Sequence, residues 1–76
     1  MTEKILLQKI GNRIKQVRLA KGISQQELAA TLNYEKSNMS RLEAGNTNPT
    51  LLTLYRVSQA LGIPLSELIS VDEKDK

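Results

Sequence analysis

The sequence predicts an all-α fold, a compact five-helix domain, on three observations. Apolar residues recur at helical spacing, no stretch alternates polar and apolar with period two for long, and β-branched residues are scattered. Seventy-six residues suffice for one hydrophobic core, close to the lower size at which an unaided fold holds, and no internal repeat or linker divides them. The chain therefore reads as a single domain over residues 1–76, with a frayed, solvated tail from about residue 71.

The first helix is expected over about Glu3 to Ala20, where Leu6, Ile10, Ile14 and Val17 form one apolar stripe and Lys21-Gly22 supplies the stop. Ser24 opens the second. Glu27 stands three positions on and completes a Ser-x-x-Glu capping box, which satisfies two orphan backbone donors. Leu28, Ala29 and Leu32 form the buried side of this helix, and Asn33 tolerates the left-handed conformation that a reversal of a few residues needs. A third helix spans about Lys36 to Ala44, with Met39 and Leu42 inward and Gly45 as terminator. The segment from Asn46 to Pro49 is a loop by composition, and Pro49-Thr50 sets up a fourth helix from Leu51 to about Leu61, ending at Gly62. Its inner face is Leu54, Val57, Ala60 and Leu61. Pro64 suits the first turn of a short fifth helix, whose Leu65, Leu68 and Ile69 fall at i, i+3 and i+4.

Composition excludes several classes of function. There is no Cys and no His, hence no disulfide framework, no thiolate nucleophile and none of the usual soft or imidazole zinc ligands. The acids are dispersed, no Gly-rich phosphate loop is present, and no reaction centre can be assembled, so no catalytic residue, metal or cofactor is expected. No apolar run approaches a membrane span, and the opening MTEKILLQKIGNR lacks the core and cleavage pattern of a signal peptide. A reducing, cytoplasmic setting is the expectation.

The net charge of +3 is unevenly distributed. Residues 1–21 hold Lys4, Lys9, Arg13, Lys15, Arg18 and Lys21 against the single acid Glu3, a segment charge of +5. From Gly22 onward five basic residues face seven acidic ones. The N-terminal segment thus reads as a cationic face offered to an anion.

The stretch SQQELAATLNYEKSNMSRLEAG, Ser24 to Gly45, joins two short amphipathic helices by a tight turn. Such a joint holds the pair at a steep angle, so that one helix can cross a DNA backbone while the other lies in the major groove. A groove-entering helix keeps its bulk inward and shows short polar or cationic groups outward. Lys36, Ser37, Asn38, Ser40 and Arg41 around Met39 and Leu42 have that pattern.

Extended to Pro49, this stretch resembles the helix-turn-helix of the phage-repressor-like family of bacterial regulators, the lambda-repressor, Cro and xenobiotic-response-element type. The approach IGNRIKQVRLAKGIS and the exit TLLTLYRVSQALGIPLSELI resemble that family's first, fourth and fifth helices, so the likeness covers about Ile10 to Ile69. In length and layout the chain looks like the controller proteins of restriction-modification systems, although small antitoxins share the pattern. The resemblance implies base reading by Lys36, Ser37 and Arg41, with Glu35 and Asn38 beside them. Phosphate contacts fall to Gln25 and to the loop residues Asn46, Thr47 and Asn48, and Ser24, Ser40, Arg13 and Lys15 join that set. It also pairs Arg18 with Glu43 in a structural ion pair. Double-stranded DNA, a second copy of the chain and RNA polymerase are the implied partners, with no membrane and no small-molecule substrate.

Three positions depart from the family pattern. Glu35 stands where a small hydroxyl residue commonly caps the groove-entering helix; its charge suits a helix N-terminus but repels phosphate, and it could accept from cytosine N4. Asn33 replaces the usual turn glycine, and Leu42 stands where many relatives have Trp. For the dimer surface, Leu51, Leu52, Tyr55 and Leu65 exceed what one small core needs, though all four could equally close that core.

Rival readings are a membrane-surface helix and a protein-interaction module or antitoxin on the same scaffold. Interfacial helices favour Trp and Phe, and this chain has neither; Tyr34 and Tyr55 are its aromatics. The basic first segment argues against a purely protein-binding role.

Overall fold

A computed structural model describes residues 1–71. Residues 72–76, where most of the expected tail falls, lie outside the described residues. Those described form five helices: α1 (Glu3–Ala20), α2 (Gln25–Thr31), α3 (Lys36–Ala44), α4 (Leu51–Leu61) and α5 (Leu65–Leu68). None of them is long and apolar enough to cross a membrane.

Each boundary has a local chemical cause. Thr2, Ser24 and Thr50 take extended backbone angles, and their hydroxyls accept the N–H groups of Ile5, Glu27 and Thr53. At α2 the capping box is complete: the Ser24 hydroxyl accepts the Glu27 N–H at 3.0 Å, and the Glu27 carboxylate accepts the Ser24 N–H at 2.8 Å. The Ser24 backbone bond, then the bond to its side chain, hold the Glu27 carboxyl below its ordinary pKa. A carboxylate depressed in the folded state contributes stability that is complete above the unfolded pKa and lost as pH falls through the folded one. Glu27→Gln keeps an acceptor at this position but cannot titrate. Its stability is therefore expected to decline less steeply on acidification than that of the parent, and superimposable acid-unfolding profiles would show that the box is not a source of pH dependence.

Helices α1 to α4 all end in the same way. A residue with positive φ follows each, Gly22, Asn33, Gly45 and Gly62. The next residue then donates its N–H back to a carbonyl five positions earlier, as in Tyr34 to Ala29 at 2.8 Å and Asn46 to Arg41 at 2.9 Å. Asn33, at φ 56°, takes the left-handed role in the turn between α2 and α3.

The core consists of Ile10 and Ile14 from α1, Leu28 and Ala29 from α2, Met39 and Leu42 from α3, Leu54, Val57 and Leu61 from α4, and Leu68 from α5. Val17, Leu32 and Ala60 pack on its margin. Two expected core positions are surface ones. Leu6 is 37% exposed because the first turn of α1 overhangs the shorter helix α3 and runs beside the loop that follows it. Ile69 is 38% exposed because α5 closes at Leu68, so the next position no longer lies over the core.

Candidate nucleic-acid interface

Helix α3 turns Met39, Leu42 and Glu43 into the protein. Its outer side carries Ser37, Ser40, Arg41 and Ala44, all exposed, at the i, i+3, i+4, i+7 spacing of one helical face. Lys36 stands exposed in the first turn, and Asn38 is half-buried on a flank. The face is thus a low ridge of hydroxyls and one methyl, from which the Arg41 guanidinium projects. Ala44, absent from the sequence-based set, belongs to this ridge. Glu35 is the N-cap of α3 and its exposed carboxylate makes no capping bond, so the first N–H groups of α3 are left open.

The ridge is held from behind at two points. At Gly11, α1 comes so close to α3 that a Cβ would stand 2.5 Å from the carbonyl oxygens of Leu42 and Glu43. About two helical turns along α1, Arg18 meets Glu43 in a buried bidentate pair, Nε to Oε2 at 2.6 Å and Nη2 to Oε1 at 3.0 Å. Arg18 Nη1 also donates to the Ile23 carbonyl, and Gln25 Nε2 donates to Glu43 Oε1 at 3.0 Å. The bond to Glu43 raises the Arg18 pKa against the opposing effect of burial. A single carboxylate at the end of α3 therefore gathers α1 and the first residue of α2.

Gln25 lies at the start of α2, half-buried, with one amide hydrogen committed to Glu43 and the other left as a donor. Ser24 has its N–H and its acceptor oxygen engaged in the capping box, which leaves its hydroxyl hydrogen as donor. Asn46, Thr47 and Asn48 are exposed in the loop after α3. Asn46 breaks a rule the other helix ends obey. Ile23, Tyr34 and Ile63, in the corresponding positions after α1, α2 and α4, pack on the core, as the closing motif prefers. Asn46 is polar and exposed, and its Oδ1 accepts from Lys4 Nζ at 3.2 Å. Lys4 was not among the residues expected at the site, since its link to position 46 is visible only once α1 and α3 are docked.

The basic residues of α1 do not share one face. Arg18 is neutralised by Glu43. Arg13, expected to meet phosphate, is roughly half a helical turn from Gly11 and so lies away from α3. Its Nε donates to the Glu67 carbonyl at 3.1 Å and its Nη2 stands 3.8 Å from the Glu67 carboxylate, so it serves as a tie to α5. Lys9 shares a cleft with Arg13, Ser70 and Val71 on that side. Lys15, one turn from Gly11 and exposed, lies on the flank nearest α3. The cations beside the α3 ridge are therefore Lys4, Lys15, Lys36 and Arg41.

On α4, Leu51, Leu52 and Tyr55 are 65%, 59% and 45% exposed and form a contiguous apolar patch at its first turn. The Tyr55 hydroxyl accepts from Gln59 Nε2 at 2.9 Å. Leu65, grouped with them from the sequence, instead packs half-buried against the core, because Pro64 starts α5 directly over it.

Residues 14–68 match the family model described as Helix-turn-helix. The control protein C.MunI of a Mycoplasma species is 38% identical over 68 residues, covering 88% of this chain and 92% of that protein. The crystal structure of the restriction-modification controller protein C.AhdI from Aeromonas hydrophila superimposes with a TM-score of 0.78 at 35% identity, over 82% of this chain and 94% of that one. The structure of SinR, described as the master regulator for biofilm formation, in complex with DNA gives a TM-score of 0.71 at 41% identity, over 79% and 97% respectively. On a match spanning most of its length, this protein belongs to the phage-repressor-like helix-turn-helix family.

Proposed function

We propose that the chain is a single DNA-binding domain that regulates transcription in the cytoplasm, as a binding protein and not an enzyme. A homodimer binds a near-palindromic operator and sets two copies of α3 in successive major grooves roughly 34 Å apart. The observation that carries this reading is the outer side of α3: short hydroxyl side chains, Ala44 and one projecting guanidinium on a helix whose bulk is wholly turned inward. A ridge of that shape fits between strands, and Arg41 supplies the two-donor fork that guanine O6 and N7 accept. The relatives support it, since C.MunI and C.AhdI are controller proteins and SinR has been crystallised on DNA.

In this arrangement Lys36, Ser37 and Arg41 face base edges, and Glu35 at the N-cap meets an exposed amino group such as cytosine N4. Ser24, Gln25 and Ser40, with the loop Asn46-Thr47-Asn48, donate to phosphate oxygens, and Lys4 and Lys15 add positive charge alongside. Leu51, Leu52 and Tyr55 form the patch that meets a second copy. One small domain with few base contacts gains specificity chiefly by pairing half-sites, which is why the dimer belongs to the reading.

Selection of bound duplexes from a random pool tests the whole proposal: two inverted half-sites about one helical turn apart are expected. Enrichment of no sequence in dilute salt would sink it. Arg41→Ala is then expected to weaken binding to the selected site by about 1–3 kcal/mol and to relax preference at one base pair. A loss equal for all sequences would place Arg41 on phosphate.

The two arginine and lysine positions of α1 make a separate comparison. Lys15→Ala should weaken binding to every sequence and reduce the slope of log affinity against log salt by about 0.9 for the lost phosphate contact. Arg13→Ala should leave that slope unchanged, since Arg13 faces Glu67. Equal slopes in the Lys15 variant and the parent would show that this flank of α1 does not meet the backbone.

A further inference from the structure

Asn38 and Arg41 lie one turn apart on α3, and Arg41 Nη2 donates to Asn38 Oδ1 at 2.6 Å. Asn38 is half-buried and so has little freedom to move, whereas Arg41 is exposed. The bond therefore runs from a restrained acceptor to the longest side chain on the ridge. Resting on the groove-reading arrangement proposed above, we infer that Asn38 is a specificity-positioning residue: it fixes the plane of the Arg41 guanidinium before DNA arrives and does not itself read a base.

The donor geometry of guanidinium explains how. Nη2 carries two hydrogens, one directed to the Nε side and one to the Nη1 side. Whichever of them the Asn38 carbonyl takes, one fork of two parallel N–H groups is left intact and the other is spoiled. A free arginine can present either fork in many rotamers and must be immobilised on binding. A clamped one presents a single fork in a single plane, so the ordering has been done within the protein. The bond takes one of the two lone pairs of Oδ1 and sets the direction of the amide toward Arg41, so the paired amide contact that asparagine makes with adenine would require this bond to be shared or given up. The arrangement that keeps the bond leaves base reading to Arg41 and gives Asn38 its influence through the guanidinium it holds.

The test is a cycle on the selected operator. Affinities of the parent, Asn38→Ala, Arg41→Ala and the double variant are measured against the site and against duplexes changed one base pair at a time, with circular dichroism to establish that each variant is folded. Asn38→Ala is expected to lower discrimination about two- to tenfold at the same base pair that Arg41→Ala relaxes, and at no other. In the Arg41→Ala background it should then have no further effect. Asn38→Asp retains an acceptor for the guanidinium, so discrimination at that pair should survive even as the added negative charge lowers affinity for all sequences alike. Relaxation at a different base pair, or additive effects in the double variant, would show that Asn38 reads DNA for itself and would overturn the inference alone. If Arg41→Ala relaxes no base pair at all, the groove reading fails and the inference falls with it.

Discussion

Glu43→Ala is expected to destabilise the protein by about 3–5 kcal/mol, because it leaves the Arg18 guanidinium buried without its counterion. Arg18 and Glu43 are 6% and 7% exposed, so water cannot replace the lost partner without opening the junction between α1 and α3. Native domains of this length have about 4–11 kcal/mol in hand, and a loss of that size brings a measurable unfolded fraction at physiological temperature. The pair is nonetheless a poor source of net stability, since both charges were desolvated to make it. An Arg18→Met, Glu43→Leu double variant, which removes both charges and keeps the volume, should recover most of what the single change loses. Urea titration of the three proteins decides the point, and a Glu43→Ala loss below about 1 kcal/mol would mean that solvent reaches the arginine freely. The charge change also separates folding from binding. Removing Glu43 makes the protein more positive, which by itself favours phosphate, so weaker DNA binding by this variant would report the displacement of α3 and not an electrostatic effect.

Most of the helical framework was legible because its signals are local. The Ser24 and Glu27 box, the left-handed Asn33, and the terminating Gly45 and Gly62 each act within a few residues, and the structure has them in those roles. Helix α3 could be oriented from Met39 and Leu42 alone, since a nine-residue helix with two large apolar side chains has one way to bury them. What could not be read locally is which element stands opposite each face of α1. Arg13 and Lys15 look alike in sequence, two cations two residues apart, yet one faces Glu67 of α5 and the other the flank of α3. Leu6 fits the apolar stripe, and only the shortness of α3 leaves it uncovered. The bonds from Gln25 and Lys4 to Glu43 and Asn46 span 18 and 42 residues, beyond the range of any periodic pattern. At Asn46 a signal was present, a polar residue where a helix end of this kind prefers an apolar one, but it has meaning only beside the three ends that conform.

Gly11 marks the other place where sequence gave a sign without its reason, a lone glycine inside an otherwise regular helix. Its replacement by valine is expected to lower stability by about 3 kcal/mol or more, the upper end of the range for overpacking a close contact. Even a Cβ at this position would stand 2.5 Å from two backbone carbonyl oxygens, which cannot move aside as a flexible side chain could. The two helix axes must separate, and in doing so they pull Arg18 from Glu43 and open the layer around Ile14 and Met39. Helix propensity acts in the opposite direction, since valine is favoured over glycine inside a helix, but by less than about 1 kcal/mol. Gly22→Ala provides the contrast. That position has nothing within 4 Å of a new Cβ, and its φ of 69° confines the penalty to backbone strain of about 1–2 kcal/mol. Denaturation of the two variants under one set of conditions should therefore rank Gly11→Val well below Gly22→Ala. If the order is reversed, α3 is not held against α1 at this crossing, and the rigid ridge on which groove reading depends loses its support.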